Sequence, residues 1–294
     1  MHCRRGHARG LCMHQTEHLM EKEDPTVKKF LGCVAVLLLV AALPALADNV
    51  RDIVNPADPG SYTPPDPNSP TWAGPEAVLY DNGPLVTHPG GGGGGADASA
   101  VQTALGLTIY GFGHALSTGY RIADDFTVTD SGGWDVQTVT FFAYQTGSGT
   151  TSTINHVNLQ IWLGQPGGGG SVVFGDTTTN RLASTSWSNI YRVLDTGLTD
   201  TQRPIMADVV NVGTNLVAGT YWLDWQTGGT LSSGPWAPPI SILGQTTTGN
   251  ALQFDPSTST WNPMIDSGAS AQQGLPFIVE GLVVPVELQS FDIE

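Results

Sequence analysis

From His156 to Trp162 apolar and polar residues alternate without a break. Val157, Leu159 and Ile161 take one face, and His156, Asn158, Gln160 and Trp162 take the other. A period of two is that of a half-buried β-strand. Residues 120–128, 136–144, 171–174, 190–194, 205–212, 220–226, 251–254 and 277–284 read the same way, with Gly, Asn, Asp, Ser and Thr between the runs. Val139, Phe141 and Ala143 share one phase while Trp134 and Val136 share the other, which predicts a bulge near Gln137. One short helix is predicted at 97–105. About ten antiparallel strands with almost no helix predict an all-β fold, a β-sandwich of jelly-roll type. An outer-membrane barrel would need strands of about ten residues with aromatic girdles, and these runs are shorter and less regular.

The N-terminal region breaks this pattern. Lys28 and Lys29 precede an apolar run from Phe30 to Leu43, which Pro44 interrupts before Ala45, Leu46 and Ala47. Basic start, apolar middle and A-x-A end predict a signal peptide cut before Asp48. The run is too short for the roughly 20 residues that span a bilayer. Cys33 lies inside the run, with apolar residues after it, and does not read as a lipoprotein site. Residues 1–15 fit no targeting pattern, and a start at Met20 would give an ordinary leader. The expected organisation is leader 1–47, Pro-rich linker 48–75, β-domain 76–284 and tail 285–294. The glycine runs 90–95 and 167–170 read as flexible surface loops, since neither is followed by the Lys-Ser/Thr of a phosphate loop.

Composition then narrows the chemistry. Cys3, Cys12 and Cys33 all precede the predicted cut, so the mature chain has no disulfide and no thiolate. Its only cationic side chains besides histidine are Arg51, Arg121, Arg181, Arg192 and Arg203, against 22 acidic residues, a net charge of −17. This balance repels a phosphate backbone, so nucleic acid is not expected as a partner, and it disfavours anionic membrane surfaces. Neutral glycans and divalent cations remain compatible with it.

The stretches Leu79–Gly83 (LYDNG), Ala123–Val128 (ADDFTV), Trp134–Gln145 (WDVQTVTFFAYQ) and Val173–Asp176 (VFGD) resemble a largely uncharacterised family of secreted bacterial β-sandwich proteins. The segment Val284–Phe291 (VPVELQSF) is similar to a tail of exported surface proteins. The resemblance implies a β-sandwich at the cell surface or outside the cell and carries no activity with it.

Three kinds of chemistry are candidates. The second face of Thr220–Gln226 carries Trp222, Asp224 and Gln226; aligned with His156, Asn158, Gln160 and Trp162, it would set flat rings among planar hydrogen-bonding groups, as glycan or polysaccharide binding requires. Asp81, Asn82 and Asp125 supply oxygen ligands for a structural calcium ion, the only cofactor the sequence suggests. Adjacent strand residues face opposite ways, so Asp124 and Asp125 would not both serve one ion. A glycoside-active enzyme would need a carboxyl pair, for which Asp224 and Glu280 are the candidates; Glu280 shares the phase of Ile278 and Leu282 in an apolar strand, where burial could raise its pKa. The sequence contains no G-x-S-x-G or H-E-x-x-H. Binding of a glycan without catalysis is the expected function, with a structural or adhesive surface protein as the bland alternative.

Overall fold

The computed structural model describes residues 76–285; the leader, the cleavage point, the linker and most of the tail lie outside the described residues. The strands are β1 (Ala77–Asp81), β2 (Asp97–Val101), β3 (Phe112–Gly113), β4 (Arg121–Val128), β5 (Trp134–Ala143), β6 (Ile154–Leu163), β7 (Ser171–Asp176) and β8 (Leu182–Leu194). They continue with β9 (Pro204–Leu216), β10 (Gly219–Gly229), β11 (Trp236–Ala237), β12 (Leu252–Asp255), β13 (Thr260–Pro263), β14 (Ile265–Asp266), β15 (Ala271–Gln272) and β16 (Phe277–Val283). One six-stranded sheet runs β1-β16-β5-β9-β8-β2 and a second runs β13-β12-β4-β10-β6-β7, while β3 with β11 and β14 with β15 form two short pairs. The protein is all-β over these residues. No helix among them is long and apolar enough to cross a membrane.

Every strand predicted from alternation is present, and the inward phase is the apolar one. Ile122 and Phe126 (β4), Leu159 and Ile161 (β6), and Leu223 and Trp225 (β10) of the second sheet share one buried core with Val139 and Phe141 (β5), Met206 and Val210 (β9), and Phe277 and Val279 (β16) of the first. Phe141 stacks on Trp225 with ring centroids 4.3 Å apart, which joins the two sheets at the centre of that core. Against β16, Val136 pairs with Gly281 and Thr138 with Glu280, so Gln137 is the extra residue. Trp134 and Val136 thereby reach the same core as Val139, Phe141 and Ala143, although the sequence alone puts them on opposite phases.

Three expectations are corrected. Residues 97–105 are not a helix: they form β2 and a 3-10 turn at Thr103–Leu105. The strands exceed ten, and one pair, β2 with β8, is parallel. The glycine run 90–95 is a hydrogen-bonded turn rather than a loose loop, with Gly92 N donating to Ala96 O at 2.8 Å. Beyond these, the second sheet curls: Trp261 of β13, at one edge, lies against Gly167 in the turn that joins β6 to β7 at the other.

Candidate functional site

The two strands expected to share a polar face are neighbours. Trp222 pairs with Trp162, Asp224 with Gln160, Gln226 with Asn158, and Gly228 with His156. The face is not open, however. Trp222 is 5 % exposed and packs with Ala123 and Leu252, while Trp162 and Trp261 close over them in part. Asp224 is buried, accepts from Arg121 Nε at 3.0 Å and Trp162 Nε1 at 3.2 Å, and is pushed up to about 6 by burial against the pull of Arg121. Arg121 in turn lies over the rings of Phe254 and Trp261, at 4.2 and 5.2 Å from their centroids. Asn158 Nδ2 donates to Thr177 O and to Gln226 Oε1, and Gln226 Nε2 donates to Tyr120 O. These side chains are bonded to one another, and only Trp162, Gln160 and His156 of the seven keep partial exposure.

The other candidate sets are not assembled. Asp224 belongs to the second sheet and Glu280 to the first. Each alternates with core residues, Leu223 and Val279, and so points away from the shared core. The pair cannot flank one cleft, and Glu280 instead accepts from Thr138 Oγ1 at 3.3 Å. Asn82 gives its amide hydrogens to Asp124 Oδ2 (2.9 Å) and Leu275 O (2.8 Å), and its oxygen accepts from Tyr80. Asp125 accepts from Asn250 at 2.7 Å, and Asp81 is exposed at the end of β1. Among the described residues no three His, Cys, Asp or Glu side chains gather as a metal site.

A concave site lies instead where β6 begins and β10 ends. Its first lobe, about 460 Å³, is lined by residues that include Leu116, Asn155, His156 and Thr227. Its second, about 420 Å³, includes Thr118, Tyr120, Trp236 and Gln253. Ala115, Ser117, Ser232, Gly234 and Pro235 line both, so the lobes form one groove. Among the described residues no carboxylate, arginine or lysine lines either lobe.

The walls of the groove are held from behind. Trp236 of β11 pairs with Gly113 of β3 and exchanges backbone hydrogen bonds with Tyr144. Its ring rests where side chains are missing: a Cβ on Gly113 would lie 3.4 Å from Trp236 Cζ3, and one on Gly234 only 2.7 Å from Cδ1. The loop before it is clamped by Gln145, whose amide donates to Leu231 O and accepts from Leu231 N. Gln253 Nε2 donates to Gly113 O at 2.7 Å, fixing the amide at the groove wall. His114 lies buried beside these elements and is lowered to about 4 by burial, so its ring is neutral. The groove can therefore offer two half-buried rings, amides and hydroxyls in fixed positions, and no formal charge. Pattern reading missed Trp236, Tyr120 and Gln253; the available signal was Ser232-Ser233-Gly234-Pro235-Trp236, an aromatic residue fixed just after a turn.

Comparison of the chain with protein-family models, with curated proteins and with solved structures returned no match.

Proposed function

We propose that this chain is an exported β-sandwich of jelly-roll type whose two-lobed groove binds a neutral glycan without catalysis, outside the cell or at its surface. The observation that carries the binding reading is the lining: Tyr120 and Trp236 stand among amides and hydroxyls, and no charged side chain of the described residues reaches the groove. Sugars combine apolar C–H faces, which aromatic rings cover, with hydroxyls, which amides and hydroxyls bond. Each lobe falls within the size range of small-molecule sites. Export is supported by the basic, apolar and A-x-A succession ending at Ala47. The sandwich reading is supported by the core that the two six-stranded sheets share.

Affinity electrophoresis against cellulose, xylan, mixed-linkage β-glucan, galactomannan and starch tests the binding. At least one polysaccharide is expected to retard the protein. Trp236→Ala should weaken that retardation about tenfold or more, since tenfold corresponds to about 1.4 kcal/mol, within reach of one buried ring. Trp222→Ala should lower stability by about 3 kcal/mol, as a large aromatic lost from a packed site does, and leave binding of the folded protein unchanged. No retardation by any polymer, or retardation indifferent to Trp236→Ala, would discard the groove.

A further inference from the structure

Trp236 serves two cavities. It lines the second lobe of the groove, and it also lines a recess of about 250 Å³ with Tyr110, Gly111, Tyr144, Thr146 and Arg203. The loop before it divides the two: Ser232 and Gly234 line the groove, whereas Ser233 lines the recess. The indole spans this divide. Its six-membered ring lies beside Gly113 of the groove wall, and its Nε1 donates to Ser233 Oγ at 3.4 Å. The floor of the recess is fixed by the same pairing that holds Trp236, with Tyr144 N donating to Trp236 O at 3.0 Å and Thr146 N to Ser233 O at 3.3 Å. Groove and recess thus adjoin, with one aromatic ring between them.

Two side chains give the recess its chemistry. Tyr144 is 1 % exposed, and its ring packs with Leu85, Ile190 and Ile205. Its hydroxyl has room because Gly111 lacks a side chain: a Cβ there would lie 2.8 Å from Tyr144 Oη. Burial raises the Tyr144 pKa, so the hydroxyl keeps its proton. Arg203 lies over the Tyr110 ring, 3.9 Å from its centroid. Among the described residues its side chain forms one hydrogen bond, from Nη1 to Asp200 Oδ2 at 3.0 Å. A guanidinium holds five N–H donors in one plane, so most of them stay free while Asp200 offsets the charge. On the premise that the groove binds a neutral glycan, we infer that the recess beyond Trp236 is a further subsite, where Arg203 and Tyr144 bond the hydroxyls of a sugar unit linked to the one in the second lobe. The site then selects a chain of three or more units over a disaccharide. A sugar hydroxyl accepts from either donor, and Arg203 can donate without leaving Asp200. The recess is smaller than either lobe, which suits a single unit at one end of a bound chain. Trp236 is the platform common to both cavities.

Isothermal titration with cello-, xylo- and manno-oligosaccharides of one to six units tests this assignment, with urea midpoints checking that each variant is folded. The wild-type protein should gain about tenfold or more in affinity between the disaccharide and the longer chains of the series it prefers. Tyr144→Phe keeps the packed ring and removes the hydroxyl, and Arg203→Lys keeps the charge and removes the planar fork. Each should cut that gain to about threefold or less while leaving the disaccharide within about twofold of the wild type. Trp236→Ala should weaken every member of the series. A gain that persists in both Tyr144→Phe and Arg203→Lys, or no gain beyond the disaccharide in the wild type, overturns the further subsite and leaves the groove standing. Failure of every oligosaccharide at every length removes the glycan reading itself, and the subsite with it.

Discussion

Asp208 occupies the core-facing phase of β9, opposite Phe141. One carboxylate oxygen accepts from Thr185 Oγ1 at 2.5 Å, and among the described residues the other has no partner and no cation pairs with it. Burial pushes its pKa up to about 7. Asp124 also reaches about 7, in its case against hydrogen bonds from Leu275 N, Asp125 N and Asn82 Nδ2 that favour the anion. An unfolded aspartate titrates near 3.9, so between about pH 4 and 7 the folded chain holds protons that the unfolded chain has released. The resulting stabilisation is complete below about pH 4 and is lost as pH rises through about 7. Urea unfolding should therefore show the wild type less stable at pH 8 than at pH 5, by on the order of 2 kcal/mol from Asp208. Asp208→Asn should flatten that slope in part, with Asp124 and Asp224 supplying the remainder; parallel profiles for the two proteins would contradict it. Nothing in the sequence distinguishes Asp208 from the exposed aspartates, because burial of a carboxylate depends on which strand lies opposite.

Among the elements, legibility follows pleat and packing. Strands with one apolar and one polar face, such as β6 and β10, alternate cleanly; although that they are neighbours could only be supposed, each could be read residue by residue. β2 could not, because Asp97–Val101 is small and buried on nearly every side in a parallel pair with β8, which removes the alternation. Four small or polar residues in a row, Asp97 to Ala100, then mimic a helix. Burial of the Trp222 face was equally illegible, since the covering side chains arrive from β12 and β13 through curling of the sheet. The bulge at Gln137 was legible as a break of phase, but its counterpart was not. β16 slips between Glu280 and Gly281 at the same level, and a Cβ on Gly281 would run into Asp135 O of β5. The extra residue in one strand and the absent side chain in the other are two halves of one irregularity. Gly281→Ala should destabilise the fold by about 2 kcal/mol in urea unfolding, because backbone must move to admit the methyl. Gly149→Ala, where a Cβ meets nothing within 4 Å, serves as the reference and should be neutral or slightly stabilising. Equal midpoints for the two variants would mean that β16 yields freely at the bulge.

Across the whole molecule, charge and groove point to the same class of ligand. The four arginines of the described residues are all engaged. Arg121 pairs with Asp224, Arg181 with Asp176 and Arg203 with Asp200, at 3.0, 3.6 and 3.0 Å. Arg192 is buried, donating to Tyr110 O, Ile109 O, Ser99 and Ser241. The described residues contain no lysine, so among them the surface has no cationic patch to receive a polyanion. Binding in an uncharged groove also lacks the ion release that makes charged interfaces weaken with salt. The affinity for a neutral oligosaccharide should therefore change less than about twofold between roughly 50 and 500 mM NaCl, a range over which the Debye length falls severalfold. Heparin and DNA should stay unbound at the lower concentration, where attraction to any hidden basic site would be strongest. A steep loss of oligosaccharide affinity with salt would show that charged groups carry the binding, and the uncharged lining of the groove would then be irrelevant to it. A flat profile leaves rings, amides and hydroxyls as the source of affinity, which is the arrangement that Tyr120, Trp236, Gln253 and His156 present.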